Sequence, residues 1–211
     1  MLLRIHEKNP QPRLIQQVVD CLKGGGVIIY PTDTVYGMGC DIFNKKAITR
    51  LCQIKQIRPD DFQYAIICQD VTQALEYTKP VSNPIFKLLR RALPGPYTFI
   101  LPAGKQLPNY SQNARKTIGI RVVAQDVMTE VVRLLGNPII TSSLKHDDEV
   151  LEYNTDPELI HERYGDVVDL VIDGGYGGNV PSTILDCSEG EDQIELVREG
   201  LGDPNALQID W

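Results

Sequence analysis

The sequence predicts an α/β (α+β) chain built on one twisted, mixed β-sheet flanked by helices. Three observations lead there. Short β-branched runs such as Val27-Ile28-Ile29, Ile118-Gly119-Ile120 and Ile139-Ile140 read as buried strands. Between them lie amphipathic segments with recognisable caps. The two kinds of segment are interspersed without strict βαβ alternation, which favours a mixed sheet over a purely parallel one. At 211 residues and 42% hydrophobic the chain suits a single domain over residues 1–211, with its core at about 12–200.

Taken in order, Pro12 to Lys23 forms the first helix. Leu14, Ile15, Val18, Val19 and Leu22 recur at helical spacing, and Gly24 stops it. A strand over Val27-Ile28-Ile29 follows and ends at Pro31. Asn44 caps a helix carrying Ala47, Ile48 and Leu51, and Tyr64 to Cys68 is a strand. Asp70 opens one helix and Ser82-Asn83-Pro84 another, with proline at the first helical position. The second ends at Pro94-Gly95-Pro96. Tyr97 to Leu101 and Thr117 to Val123 are strands by composition. A helix over Asp126 to Leu135 is closed by Gly136, and Ile139 to Ser142 is a strand. The tail adds a helix at Pro157 to Tyr164 and strands at Val167 to Ile172, Thr183 to Asp186 and Ile194 to Arg198. Gly174-Gly175-Tyr176-Gly177-Gly178 reads as a mobile loop.

Composition excludes several classes of function. No apolar run reaches the roughly 18 residues needed to span a bilayer, and Met1 to Lys8 lacks the apolar segment of a signal peptide. A cytoplasmic location is expected, with no membrane partner. Cys21, Cys40, Cys52, Cys68 and Cys187 are scattered and odd in number, so neither a disulfide framework nor a metal site is signalled. His6, His146 and His161 are equally dispersed, and nothing marks a cysteine nucleophile with a nearby base. A net charge of -7 argues against a surface coated by nucleic acid, though a local basic patch is compatible with it.

The densest polar stretch is Tyr30-Pro31-Thr32-Asp33-Thr34-Val35-Tyr36-Gly37-Met38-Gly39, directly after a buried strand. Ligands of open α/β sheets collect at the carboxyl ends of strands. Four further features stand beside it. Lys55-Gln56-Ile57-Arg58, at a helix end, is either a solvated basic terminus or a clamp for a polyphosphate. Strand alternation in Thr117-Ile118-Gly119-Ile120-Arg121-Val122 places Thr117, Gly119 and Arg121 on one face. A buried Arg121 needs a counter-charge, from a structural salt bridge or from a ligand carboxylate held bidentately. Thr141-Ser142-Ser143 and Ser182-Thr183 supply hydroxyls at strand ends, and Val197-Arg198-Glu199-Gly200 delivers an arginine to a glycine turn.

The order of these pieces resembles the YrdC/Sua5 family. Tyr30 to Gly37, Lys55…Arg58-Pro59, Pro94-Gly95-Pro96-Tyr97-Thr98, Gly119-Ile120-Arg121-Val122, Thr141-Ser142, Pro181-Ser182-Thr183-Ile184-Leu185-Asp186 and Arg198-Glu199-Gly200 carry the resemblance across nearly the whole chain. It is nearest to the YciO branch, without the separate C-terminal domain of longer Sua5 proteins. The resemblance implies a sheet with a large concave cavity. It also implies the activity of an L-threonylcarbamoyladenylate synthase. Such enzymes combine L-threonine, bicarbonate or CO2 and ATP, release pyrophosphate, and supply a tRNA modification, N6-threonylcarbamoyladenosine. By resemblance Thr32, Thr34, Arg121 and Ser182 bind threonine. Lys55 and Arg58 act catalytically on the triphosphate, and Thr117, Ser142 and Arg198 complete the nucleotide site. Mg2+ is expected to arrive on the phosphates of ATP, with no dedicated metal site in the protein.

The chain departs from the family pattern on the nucleotide side. The usual Lys-x-Arg appears one residue longer, as Lys55-Gln56-Ile57-Arg58, which rotates the arginine by about 100° on a helix or is absorbed by a loop. The usual Ser-x-Asn appears as Ser142-Ser143-Leu144. Phe62-Gln63-Tyr64 replaces Asn-Pro-Leu, Ile67-Cys68 falls where the synthases often place a histidine, and Val122-Val123 replaces Val-Pro. The resemblance therefore also implies an alternative, a weakly active or non-catalytic paralogue that binds double-stranded RNA, tRNA or ribosomal RNA. Lys45, Lys46, Arg50, Lys55 and Arg58, with Lys87, Arg90 and Arg91, would supply its positive charge.

Overall fold

The computed structural model describes residues 1–59, 65–108, 116–144 and 154–209. Among these residues ten strands form one sheet. In chain order they are β1 (Leu2–Arg4), β2 (Ile28–Tyr30), β3 (Gly37–Asp41), β4 (Ala65–Ile67), β5 (Tyr97–Pro102), β6 (Thr117–Arg121), β7 (Ile139–Ser143), β8 (Leu170–Asp173), β9 (Thr183–Asp186) and β10 (Glu195–Arg198). They lie side by side as β1-β8-β2-β3-β7-β4-β6-β5-β9-β10. Pairing is parallel for β1/β8, β2/β8, β4/β6 and β5/β9, and antiparallel for the other five pairs. The expected mixed sheet is therefore present.

The helices follow their sequence signals closely. They are α1 (Pro12–Lys23), α2 (Lys45–Ile54), α3 (Val71–Glu76), α4 (Asn83–Ala92), α5 (Asp126–Leu135) and α6 (Pro157–Tyr164). Asn44, Asp70 and Ser82 each accept a hydrogen bond from the backbone N–H three residues on, satisfying a donor the helix cannot. Pro84 occupies the second helical position of α4 rather than the first. Gly136 ends α5 with φ of 84°, a left-handed conformation that glycine adopts without strain.

Several bounds differ from expectation. The strand after Ile118 stops at Arg121, and the strand expected from Val167 begins at Leu170, because Val167 is exposed on a turn. Tyr64 lies outside the described residues. β1 and β3 were not expected as strands, nor was the 3-10 turn Pro204–Leu207.

Two cores sandwich the sheet. On one face α1 and α5 pack over Ile28, Tyr30, Ile67, Ile139 and Ile172. On the other, α2, α3, α4 and α6 pack over Ile29, Met38, Cys40, Ile66, Phe99 and Ile120. Strand alternation and pairing register identify what continues the first face beyond the α1/α5 core. There the side chains become small: Gly37, Gly39, Thr141, Ala65, Gly119 and Thr98. A helix cannot gain much apolar burial on such a surface, so the α1/α5 core does not extend over this stretch, a floor of small and mostly buried side chains. Arg121, Ser182 and Arg198 belong to the same face.

Candidate functional site

The opening motif forms a tight turn after β2. Pro31 ends the strand, and the Thr32 hydroxyl then builds the turn from within. It donates to the Val35 carbonyl at 2.7 Å and accepts the Thr34 N–H at 3.1 Å. Thr32 and Thr34 hydroxyls lie 3.1 Å apart. Thr32 is therefore occupied in shaping the backbone, which leaves the neighbouring Thr34 hydroxyl and Asp33 carboxylate turned toward the end of β6.

There they meet Arg121, whose side chain is only 10% exposed. Its Nη2 donates to Asp33 Oδ1 at 2.8 Å and to Thr34 Oγ1 at 3.1 Å. Asp33 Oδ2 accepts the Ala124 N–H at 3.1 Å. Of the two counter-charges expected for a buried Arg121, the protein supplies one itself. Pairing is incomplete, because Arg121 Nε is buried and has no acceptor among the described residues. Burial lowers the Arg121 pKa and Asp33 opposes that shift; the guanidinium, with a reference pKa above 12, keeps its charge.

A second cluster adjoins the first. The hydroxyls of Thr98 on β5 and Ser182 before β9 are 2.8 Å apart. Arg198 on β10 reaches back to Ser182. Its Nε and Nη2 donate to the Ser182 carbonyl at 3.1 and 2.8 Å, and Nη2 lies 3.4 Å from the Ser182 hydroxyl. Burial lowers the Arg198 pKa, and the positive charge of Arg121 lowers it further. Two guanidinium groups thus repel across a floor of glycine, alanine and threonine, with Asp33 the carboxylate paired to Arg121. An anion placed between them would relieve that repulsion.

The wall opposite is a glycine loop. Tyr36 Oη donates to the Gly175 carbonyl at 2.7 Å and accepts the Gly174 N–H at 3.3 Å, while the Gly177 N–H donates to the Thr155 carbonyl at 2.8 Å. The segment is thus tied by hydrogen bonds to Tyr36 and Thr155. Glycine is needed at position 178, where a Cβ would lie 2.4 Å from the Thr34 carbonyl. Between loop and motif lies a cavity of 190 Å³ lined by Thr32, Asp33, Thr34, Gln125, Gly174 and Gly178 among others.

Lys55 and Ser142 form a separate group. Lys55 is buried and its Nζ donates to the Ser143 carbonyl at 2.8 Å, an acceptor that Ser142 Oγ also approaches at 3.4 Å. Ser142 pairs with Met38, so it shares the face of α2 rather than the floor. Leu144 is 2% exposed and belongs to the α2-side core.

The longer Lys55-to-Arg58 spacing does not rotate Arg58 around a helix. α2 ends at Ile54, Lys55 is its C-cap, and Gln56 turns left-handed at φ of 55°. The Gln56 N–H then bonds the Gln53 carbonyl and the Ile57 N–H the Cys52 carbonyl, a Schellman closure. Arg58 lies beyond it and is exposed. Thr117 stands at the opposite end of β6 from Arg121, about 13 Å along the strand. It borders a groove of 800 Å³ that includes Asp186, Glu189 and Glu195, and the fold does not bring it to the Arg121 cluster.

Asp33, Thr98, Gln125 and Tyr36 are the site residues that sequence reasoning did not assign. Asp33 and Thr98 fall inside quoted motifs, but their partners are 88 and 84 residues away. Among the described residues no group of three or more His, Cys, Asp or Glu side chains is arranged to hold a metal ion. Cys40, Cys52, Cys68 and Cys187 are buried thiols, and burial pushes Cys187 up to about 12. No described helix is long and apolar enough to cross a membrane.

Comparison with known proteins places this geometry in context. The Sua5_yciO_yrdC family model, described as "Telomere recombination", matches residues 20–200. The chain is 42% identical over 201 residues to the "Uncharacterized protein YciO" of Escherichia coli, covering 94% of this chain and 95% of that protein. The crystal structure of E. coli YciO superposes with a TM-score of 0.90 at 38% identity, over 98% of each chain. A threonylcarbamoyl-AMP synthase of Coxiella burnetii is 32% identical over 178 residues, covering 84% of this chain and 94% of that one.

Proposed function

The chain belongs to the YrdC/Sua5 family, in its YciO branch, and from that premise we propose a paralogue of the threonylcarbamoyl-AMP synthases with a retained amino-acid site and weak or redirected nucleotide chemistry. One observation carries this reading. Arg121 is buried beside Thr34, its Nε–H has no acceptor among the described residues, and it lies on a face of small side chains. A bidentate carboxylate satisfies such a guanidinium better than a single Asp33 oxygen does. The large concave cavity expected for the family would stand on this floor.

The proposed ligand is L-threonine or a similar small amino acid. Its carboxylate would lie on Arg121, and its hydroxyl or amine near Thr34, Thr98 and Ser182. In the synthase reaction the amine adds CO2 to give a carbamate, whose oxygen attacks the α-phosphate of ATP and displaces pyrophosphate. Both reactants are anions, so the protein mainly neutralises and aligns them. Arg198, facing Arg121, would stabilise the carbamate or an α-phosphate oxygen. Lys55, Arg58 and Ser142 would face the remaining phosphates.

Weak chemistry is expected from the same geometry. Leu144 is packed into the core where the synthases usually place an amide. Lys55 has its ammonium on the Ser143 carbonyl, and the αL turn at Gln56 sets Arg58 outside the helix. The test is pyrophosphate release by purified protein given ATP, L-threonine and bicarbonate, alongside calorimetric titration of L-threonine alone. Threonine binding with slow release that requires all three substrates supports the reading. Absence of threonine binding rejects it.

A second reading, RNA binding, has one favourable observation. On α4 an exposed Phe86 lies one helical turn from Arg90, beside Lys87, giving a basic face with an aromatic. Arg50 and Arg91 contribute less, since Arg50 pairs with Asp169 and Arg91 donates to the Leu207 carbonyl. Duplex-RNA affinity that falls steeply with salt and is lost in K87E/R90E would favour it.

A further inference from the structure

Two buried donors near Asp33 have no acceptor among the described residues, Arg121 Nε and Gln125 Nε2. Gln125 is 95% buried, at 5% exposure. Its Oε1 accepts the Met128 N–H at 2.9 Å and caps α5, so the amide orientation is fixed and Nε2 is the end left over. Asp33 connects the two. Its Oδ1 sits on Arg121 Nη2, and its Oδ2 on the N–H of Ala124, the residue before Gln125. Asp33 and Gln125 also line the same 190 Å³ cavity, which gives the carboxylate space in which to turn.

We infer that Asp33 is a positioning residue with two seats, closing on Arg121 in the empty site and moving to Gln125 Nε2 when a ligand carboxylate takes Arg121. The donor count favours the exchange. With Asp33 on Arg121, two buried donors have no acceptor among the described residues. A planar ligand carboxylate can fork onto Arg121 Nη2 and Nε. Asp33 Oδ1, released, then serves Gln125 Nε2 while Oδ2 keeps Ala124. Thr34 Oγ1 retains its bond to Nη2, and both orphaned donors are satisfied. Buried donors without acceptors are costly, so the exchange offsets the loss of the Asp33–Arg121 pair.

The consequence is selectivity. An anion unable to span two nitrogens in a plane displaces Asp33 without satisfying Arg121 Nε. The site thereby favours oxyanions that can fork onto two nitrogens, small carboxylates among them. It also discriminates against loose binding of chloride. This inference rests on the proposed amino-acid site, and its test separates the two.

The experiment follows the Arg121 Nε–Hε and Gln125 side-chain amide resonances of 15N-labelled protein during titration with L-threonine and, separately, sodium acetate. Wild type, Asp33→Asn and Gln125→Glu are compared. Gln125→Glu keeps the capping oxygen but replaces the waiting donor with a negative charge. The inference expects both resonances to respond together in wild type. Asp33→Asn should bind acetate about tenfold more tightly, close to 1.4 kcal/mol, and Gln125→Glu should bind it at least threefold more weakly. Weaker acetate binding by Asp33→Asn, a Gln125 amide that stays fixed while Arg121 responds, or no acetate response in any variant overturns the inference. Should Asp33→Asn fail to fold, the wild-type amide response decides. If acetate behaves as expected while threonine binds no variant, the two seats stand and the threonine reading falls.

Discussion

Gly119 is the position at which the floor can be tested most directly. It lies on β6 between Ala65 of β4 and Ile100 of β5, on the face that carries Arg121. A Cβ there would fall 2.9 Å from the Ala65 Cβ, 3.2 Å from the Ala65 Cα and 3.4 Å from a Thr98 methyl. Ordinary contacts of this kind begin near 3.5 Å, and strands paired on both sides cannot simply step away. Overpacking costs about 1–3 kcal/mol. Replacing a strand glycine by alanine returns about 0.5–1 kcal/mol in backbone entropy. Gly119→Ala should therefore lose roughly 0–2.5 kcal/mol of stability, and if the floor holds the ligand it should also weaken L-threonine binding by about tenfold, a figure set by one misplaced methyl against a fitted ligand. Gly136→Ala is the control. It sits at φ of 84° with nothing within 4 Å of its Cβ, so it should cost about 1–2 kcal/mol of stability through αL strain and leave affinity unchanged. Urea denaturation and calorimetry measure both quantities. A Gly119→Ala protein that binds threonine as wild type does would show that the floor is not where the ligand lies.

Other expectations follow from the same contacts. Arg198→Gln should reduce affinity for inorganic phosphate several-fold and flatten its salt dependence, with stability changed by under about 1 kcal/mol because the side chain lies near the surface; a phosphate titration at two ionic strengths checks this. Tyr36→Phe removes the partner of Gly175 and Gly174 and should cost about 1–3 kcal/mol, read as a lower urea midpoint with faster amide exchange at Gly174. Alkaline pH should destabilise the fold through groups whose pKa is raised. Burial carries Cys187 from 9.0 to about 12 and Tyr77 from 10.0 to about 12. The folded state keeps these protons longer than the unfolded one, so stability is full below pH 9 and falls as pH rises toward 12. A melting temperature that stays flat from pH 8 to pH 11.5 would contradict that assignment of burial.

Local chemistry was legible wherever one segment carried its own signal. The caps at Asn44, Asp70 and Ser82 and the glycine stop at Gly136 needed only neighbours within three or four residues, and their helices formed as expected. β3 was illegible for the opposite reason. Gly37-Met38-Gly39 has two glycines, which on their own argue against a strand, and it becomes one because β2 and β7 pair with it on both sides. The site shows the same division. Alternation alone put Arg121 and Gly119 on one face. Nothing local could show that Asp33 would neutralise Arg121 or that Thr98 would meet Ser182, since those contacts depend on how β5, β6 and β9 are ordered in the sheet. Alternation likewise put Thr117 on the Arg121 face, but could not show how far along the strand it stands from the Arg121 cluster.

This layout explains how one half of a site can change while the other persists. Thr34, Arg121, Thr98 and Ser182 are held on the floor by turns and by β5, β6 and β9. Ser142 and Leu144 lie at the end of β7 on the face of α2, where Leu144 joins the core on that side and Lys55, the C-cap of α2, bonds the Ser143 carbonyl. Packing couples neighbours and leaves distant sites nearly independent. Exchanging an amide for Leu144 adds an apolar side chain to the α2-side core and removes a polar contact, without moving Arg121 or its partners. The change can even be stabilising, because a buried leucine gains about 1.5–3 kcal/mol over an exposed one. A duplicated member of the family could therefore lose nucleotide chemistry at no structural cost. Arg121 would survive such a change, because removing one member of its buried ion pair with Asp33 costs about 3–5 kcal/mol.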